Sequence, residues 1–326
     1  MIISQENEIS KSNNNNRESN INNTNMISSS SNQEKSDKEP YKFYINNTNS
    51  NISEYNFTNN KITTTKYNIF TFLPKALLLQ FVRLANIYFL ICAILQCIPM
   101  ISPLTPGTAV VPLVIVLSVS IIREGIEDYS RYKLDNQQNN EETTVYRNGQ
   151  WEKTTSGTLY VGEIVEVLQE NTFPADLILI ESELEGGICF IETGTLDGEK
   201  TLKQKEALSI TKGQFKENNE KIKKFDISGS VSSDCPNPFL YQLNGNMELS
   251  FKTNIITINN NDNDNGEKKH KIPLDAKQLL LKGAKLKNTK WVLGIVIYTG
   301  HNCKLMKNAK DPISKFSSVE SLMNSG

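Results

Sequence analysis

Two uncharged apolar runs, separated by a six-residue turn, restrict this chain more than any other feature. The first, Leu84 to Ile101, is dominated by Leu, Ile, Phe and Ala and carries no formal charge. Its eighteen residues meet the lower length limit for a helix that crosses a bilayer. The second, Ala109 to Ile122, is interrupted only by Pro112, Ser118 and Ser120. Between them, Ser102-Pro103-Leu104-Thr105-Pro106-Gly107 is too short to form a domain. Lys61, Lys66, Lys75 and Arg83 flank one outer end, and Arg123, Arg131 and Lys133 flank the other. Basic residues at both outer ends put both on the cytosolic side. The pattern predicts a membrane α-helical hairpin over residues 84–140, with a soluble helical pair as the bland alternative. Past Ile122, the positions Ile126, Tyr129, Tyr132 and Leu134 keep helical spacing among charges. The second helix is therefore expected to continue as an amphipathic stalk.

Composition matters here because it is uneven. The first 60 residues contain 17 Asn and almost no clustered apolar side chains. Such a segment cannot bury enough surface to offset its ordering entropy, so residues 1–60 are expected to be a disordered tail. Met1-Ile2-Ile3 is too short an apolar stretch for a signal peptide and has no basic flank. A formal net charge of −1 gives no electrostatic reason to expect nucleic acid as a partner. Five cysteines are scattered singly at 92, 97, 189, 235 and 303, which predicts reduced thiols rather than a disulfide framework. His270 and His301 have no ligand spacing around them, so no metal site is expected.

From residue 141 the pattern changes to strands. Asn148-Gly149 between two β-prone runs, Thr143–Arg147 and Gln150–Thr154, predicts a tight hairpin. Further short strands are expected over Glu163–Leu168, Asp176–Ile180, Ile188–Ile191, Leu279–Leu281 and Trp291–Tyr298. Polar stretches at 211–226 and 259–266 read as surface insertions. The expected fold is a compact all-β sandwich or distorted roll over 141–308, mounted on a helical anchor. A lead-in segment, 61–83, precedes that anchor, and a linker, 309–326, follows the β portion.

One turn in this β region has chemical promise. Asp197-Gly198-Glu199 follows the apolar-rich segment that ends near Ile191. Gly198 permits backbone conformations closed to residues with a Cβ and close approach to a ligand. Either flanking carboxylate could orient a water or accept its proton. The bland alternative is a solvated β-turn. Gly194 to Lys200 is not a Walker A loop, because its glycine spacing is wrong and Glu199 separates Gly198 from Lys200.

In their order along the chain, these segments resemble the amino-terminal third of the type IV P-type ATPases, the phospholipid flippases. Thr65-Lys66-Tyr67, Gln80-Phe81, Ala85-Asn86 and Tyr88-Phe89-Leu90 are similar to the family's lead-in and first membrane helix. Ile98-Pro99, Ser102-Pro103 and Glu127-Asp128-Tyr129 match the end of that helix and the second helix with its stalk. Phe173-Pro174-Ala175-Asp176-Leu177 and Leu196-Asp197-Gly198-Glu199 resemble the P-type signature and the actuator loop behind it. Leu279–Gly283, Tyr298–His301 and Ser318-Val319-Glu320 fit the run-up to a third membrane helix.

The resemblance implies an all-β actuator domain and a role for Glu199: positioning water against an aspartyl phosphate, with Asp197 and Gly198 shaping its loop. It implies ATP and magnesium for the complete enzyme and none held by this chain. Implied partners are membrane phospholipid, a two-span accessory subunit, and catalytic domains supplied in cis or in trans. The N-terminus and β domain would be cytosolic, in the plasma membrane or Golgi and endosomal membranes. Lys200 stands where the family has threonine, Thr201 where asparagine is usual, and Leu79 where a glutamate precedes Gln80. No Asp-Lys-Thr-Gly-Thr motif occurs, so ATP hydrolysis by this stretch alone is not expected. A non-catalytic, membrane-anchored regulator or inactive pseudo-flippase is the alternative that Lys200 suggests.

Overall fold

The computed structural model describes residues 41–98, 105–217, 220–221, 227–251 and 270–309. Order begins earlier than the asparagine content predicts. Strand β1 (Tyr41–Tyr44) and helix α1 (Thr48–Tyr55) lie inside the stretch expected to be a disordered tail. The reason is that its asparagines act as backbone staples. Asn51, fully buried, accepts from Tyr44 N–H (2.7 Å) and donates to the carbonyls of Tyr44 (2.7 Å) and Val161 (3.0 Å). Asn60, equally buried, donates to the carbonyls of Ser156 (2.9 Å) and Pro174 (2.8 Å) and accepts from Gly300 N–H (2.8 Å). A buried amide that satisfies backbone groups stabilises where an unpaired one would cost. Phe43, Ile45 and Ile62 add apolar anchors. The rest of the expected tail, residues 1–40, lies outside the described residues.

Three helices follow. Helix α2 (Ile69–Gln80) and helix α3 (Leu84–Gln96) meet at a 90° bend. The bend has a local cause: the last turn of α2 tightens, with Phe81, Val82 and Arg83 N–H reaching back three residues. Asn86 then donates its side-chain amide to the Gln80 carbonyl at 2.7 Å, satisfying an acceptor that a straight helix would have given to Leu84. The first apolar run is thus a 13-residue helix rather than a continuous 18-residue one. At about 20 Å it is shorter than the roughly 30 Å of a hydrocarbon core. Its expected last residues, 99–101, lie outside the described residues.

Helix α4 (Gly107–Asn139) runs unbroken for 33 residues and by length and composition could cross a membrane. Thr108 donates to Gln96 Oε1 at 3.1 Å, linking the end of α3 to the start of α4. The stalk stripe Ile126, Tyr129, Tyr132 and Leu134 is exposed, and the face covered instead is polar. There the lead-in segment runs extended along the helix. Ile62 exchanges two 2.8 Å bonds with the Asn139 side chain, Thr64 N–H and hydroxyl both donate to Asp135, and Lys66 N–H donates to Asp128. Alternate residues of an extended strand thereby meet one helix face.

The β portion is antiparallel throughout its named strands. Hairpin β2 (Glu142–Arg147) and β3 (Gln150–Thr155) turns on Asn148 and Gly149, both at positive φ, as predicted. Strands β4 (Ile164–Leu168), β5 (Asp176–Ser182) and β6 (Ile188–Glu192) lead to a short helix, α5 (Gly194–Asp197). Strand β7 (Leu202–Glu206) returns beside β6, followed by the two-residue strands β8 (Lys216–Glu217) and β9 (Glu220–Lys221). Next come β10 (Ile227–Ser233), β11 (Gly245–Phe251), β12 (His270–Leu274), β13 (Leu279–Leu280), β14 (Lys285–Lys287) and β15 (Trp291–Tyr298). A closing helix, α6 (Lys304–Asn308), completes the described elements.

The six-stranded sheet β13-β5-β15-β4-β2-β3 is the middle layer. Its central strand, β15, is buried at every position because both faces are covered. Leu293, Ile295 and Ile297 point to one core, which contains Phe43, Val231, Met247 and Leu249 of the four-stranded sheet β1-β10-β11-β12. Val292 and Val296 point to the other, which contains Cys189, Ile191 and Leu286 of the sheet β14-β6-β7. Two-sided burial explains the continuous apolar run where a half-exposed strand would alternate. Gly294 permits the close approach of β5, since a Cβ there would lie 2.9 Å from Leu177 Cβ.

The expected insertion 211–226 is only partly surface. Thr211 and Phe215 are buried, and Phe215 packs in the first core, supplying apolar volume that its Lys-rich neighbours conceal. Residues 218–219, 222–226 and the whole of 259–266 lie outside the described residues, as does 310–326. Strands β1, β10, β11 and β12, an entire layer, were not among the strands expected from the sequence.

Candidate functional site

The turn between β6 and β7 holds the three residues singled out above. Helix α5 closes with Gly198 at φ 78°, whose N–H donates to the Gly194 carbonyl at 3.2 Å. A Cβ at this position would meet nothing within 4 Å, so the left-handed backbone rather than crowding selects glycine. Leu196 packs against both cores, and Thr195 donates its hydroxyl to the Gly283 carbonyl at 2.9 Å. The loop is therefore pinned from below while its tip faces outward.

Asp197 and Glu199 are brought together but have different surroundings. The Asp197 carboxylate accepts from the Thr193 hydroxyl (3.0 and 3.1 Å) and from Glu199 N–H (2.9 Å). It also accepts from the Lys203 ammonium and the Tyr241 hydroxyl. Those bonds, Lys203 first and Tyr241 second, hold its pKa well below the usual carboxylate range. A carboxylate with every lone pair engaged is a poor proton acceptor. Asp197 is thus a fixed anchor for the loop.

The Glu199 side chain, 60% exposed, pairs with Lys203 at 3.1 Å. Partial desolvation works to lower the Lys203 ammonium, but bonds to Asp197, Tyr241 and Glu199 outweigh it and hold the ammonium above its ordinary value. Lys200, the departure that suggested a disabled loop, is exposed, and Lys203 makes the pair in its place. Lys203 lies four residues beyond Glu199, a spacing visible in the sequence. Tyr241, 44 positions beyond Asp197, gave no signal at all.

Behind the loop lies the Phe173–Leu177 segment. Asp176 is fully buried and accepts Lys282 N–H (2.8 Å) and Lys304 N–H (2.6 Å). Burial raises its pKa to about 6, against the opposing pull of those two bonds. It fixes the strand start, the turn before Gly283 and the first residue of α6 to one point. His301 and Cys303, two positions apart, are engaged separately: His301 Nε2 accepts from Thr63 N–H (3.3 Å), and Cys303 Sγ donates to the Tyr298 carbonyl (3.2 Å).

Comparison with known proteins gives this geometry a context. Residues 43–110 match the phospholipid-translocating ATPase N-terminal family, and residues 137–234, which contain the whole loop, match the P-type ATPase actuator domain. A phospholipid-transporting ATPase of Schizosaccharomyces pombe is 40% identical over 273 residues, covering 84% of this chain and 20% of the relative. The chain belongs to the type IV P-type ATPases. Probable phospholipid-transporting ATPases 7 and 12 of Arabidopsis thaliana are 38% and 39% identical over 269 and 270 residues. Each match covers 82% of this chain. The chain spans about a fifth of the length of these curated relatives and corresponds to an amino-terminal portion of the family. Its β layers are an actuator domain of the P-type kind.

Proposed function

We propose that this chain forms the membrane-anchoring and dephosphorylating part of an ATP-driven phospholipid flippase, moving lipid toward the cytosolic leaflet. The observation that carries the proposal is the contrast within one loop: Asp197 is saturated, whereas Glu199, two residues on, is presented outward. In this reading the bent pair α2–α3 forms one arm of the membrane hairpin and α4 the other, with the actuator domain in the cytosol. Their outward apolar side chains, Leu78, Tyr88, Val119 and Ile122 among them, support a lipid or helix neighbour.

Glu199 then acts on a phosphorylated aspartate carried by another domain. Its carboxylate orients a water and takes its proton as the oxygen attacks phosphorus and the bond to the aspartyl carboxylate breaks. Gly198 gives the tip its left-handed turn, and Asp197 keeps the tip rigid. Magnesium and ATP, implied for the complete enzyme, are assigned to other domains. Among the described residues no three His, Cys, Asp or Glu side chains converge as a cation site. An accessory two-span subunit and catalytic domains, in cis or in trans, complete the assembly. The rival reading, a non-catalytic regulator, draws on Lys200, and Glu199 pairs with Lys203 instead.

The test is Glu199→Gln in the complete enzyme containing this segment. Phosphoenzyme formed from labelled ATP is expected to persist, its breakdown slowed at least a hundredfold, as for loss of a general base. Breakdown at the wild-type rate removes Glu199 from this role. Protease accessibility supplies the second check: cleavage of the actuator domain only from the lumenal or extracellular side would exclude the topology.

A further inference from the structure

Tyr241 reaches Asp197 from a different sheet. It lies in the loop between β10 and β11, which belong to the four-stranded layer, whereas Asp197 and Lys203 belong to the β6–β7 hairpin. The tyrosine meets both partners. Its hydroxyl donates to Asp197 and is within 3.0 Å of the Lys203 ammonium, which also lies 4.4 Å from the ring centre. The loop that carries Tyr241 is itself tied down. Buried Lys304 donates to Asn237 Oδ1 (2.7 Å) and the Phe239 carbonyl (3.1 Å), and Tyr298 donates its hydroxyl to the Asp234 carbonyl (2.7 Å). Lys304 N–H is in turn held by Asp176. A chain of contacts therefore runs from the buried Asp176 through Lys304 and the β10–β11 loop to the tip of the candidate site.

Lys203 is the shared element at the end of this chain. It pairs with Asp197, and 3.1 Å away with Glu199. Two carboxylates compete for one ammonium, and the position of that ammonium decides how Glu199 is held. Tyr241 biases the competition toward Asp197, because its hydroxyl and ring face both contact Lys203 on that side. With Lys203 kept there, its ammonium lies 3.1 Å from the Glu199 carboxylate at a fixed position.

We propose that Tyr241 and Lys203 are positioning residues for Glu199: the tyrosine holds the lysine on Asp197, and the lysine fixes the direction of the Glu199 carboxylate during dephosphorylation. The proposal rests on the assignment of Glu199 as the water-positioning group. It gives the β10–β11 loop, which joins two strands of one layer and reaches the turn of another, a part in the site that neither its sequence nor its distance from the turn announces.

The experiment measures phosphoenzyme formation and breakdown in the complete enzyme for Tyr241→Phe, Lys203→Met, Lys203→Arg and Glu199→Gln, with melting temperatures for each. Loss of one charged hydrogen bond is expected to slow breakdown about tenfold in Tyr241→Phe, and loss of the cation about a hundredfold in Lys203→Met. Lys203→Arg should recover most of the rate, since the cation returns, and formation from ATP serves as the internal reference. Wild-type breakdown in both Tyr241→Phe and Lys203→Met overturns the inference. So does slowing that affects formation equally, or that follows a lowered melting temperature without rescue by arginine. Glu199→Gln separates the two levels of the argument. If it fails to trap phosphoenzyme, the assignment of Glu199 falls; if it traps while the Tyr241 and Lys203 variants behave as wild type, only the positioning role falls.

Discussion

Asp176 and Asp197 are 21 positions apart in one actuator domain, and their carboxylates are held by donors of opposite kinds. Asp176 is buried and held by two backbone N–H groups from segments more than a hundred residues away. Asp197 sits at the rim and is held largely by side chains: a threonine, a lysine and a tyrosine. Backbone donors inside a core cannot leave without unfolding, whereas side-chain donors at a surface can exchange. The first arrangement suits a fixed junction of the core, and the second suits a surface loop under the role proposed for Glu199.

The largest effect that could break this comparison is on stability. Asp176→Ala leaves the N–H groups of Lys282 and Lys304 buried without an acceptor and is expected to cost about 4 kcal/mol, read by denaturant unfolding of the purified protein. A loss under 1 kcal/mol would show that Asp176 is not the knot described. Acid titration sharpens the same contrast. The folded state holds the Asp176 proton up to about pH 6, while an unfolded chain releases it near pH 4. Between those values only the folded state binds the proton, so stability falls as pH rises, by on the order of 3 kcal/mol, and is level above. Asp176→Asn should flatten that slope in melts across the same range.

Asp197 has the reverse sign. Its pKa is held below the usual range, so its contribution is complete above about pH 4 and is lost only as pH falls further. Between pH 5 and 8 the loop is expected to be indifferent to pH, which proteolysis of the turn can check. Gly198→Ala is smaller again, roughly 1 kcal/mol from left-handed strain with no steric clash. Smallest is Lys200→Ala, expected within about 0.5 kcal/mol of wild type in stability and without effect on phosphoenzyme breakdown. A marked slowing in that variant would restore the suspicion that Lys200 modulates Glu199.

Much of the loop's local structure is legible in the sequence. Gly198 between two carboxylates, the Asn148-Gly149 hairpin and the all-apolar β15 each express a local rule: a backbone conformation, a turn type, a doubly covered strand. The misreadings have equally specific causes. Asn51 and Asn60 looked like members of a low-complexity tail, because nothing local distinguishes a solvated amide from one that staples distant backbone groups. Phe215 was hidden by the lysines around it. Asn86 lowered the apolar character of the first run, yet its meaning, a cap on the Gln80 carbonyl at a right-angled bend, depends on three-dimensional geometry.

The amino-acid order by itself determined the apolar runs, the turn chemistry of residues 194–199, and the family to which they belong. Each of these is set by side chains within a few positions of one another, or by the order of short motifs along the chain. Only the tertiary structure decided which carboxylate is anchored and which is presented, and that Lys203 rather than Lys200 attends Glu199. That choice depends on Tyr241 crossing from another sheet, and contacts between residues 44 positions apart are fixed by how layers pack, which no local pattern encodes.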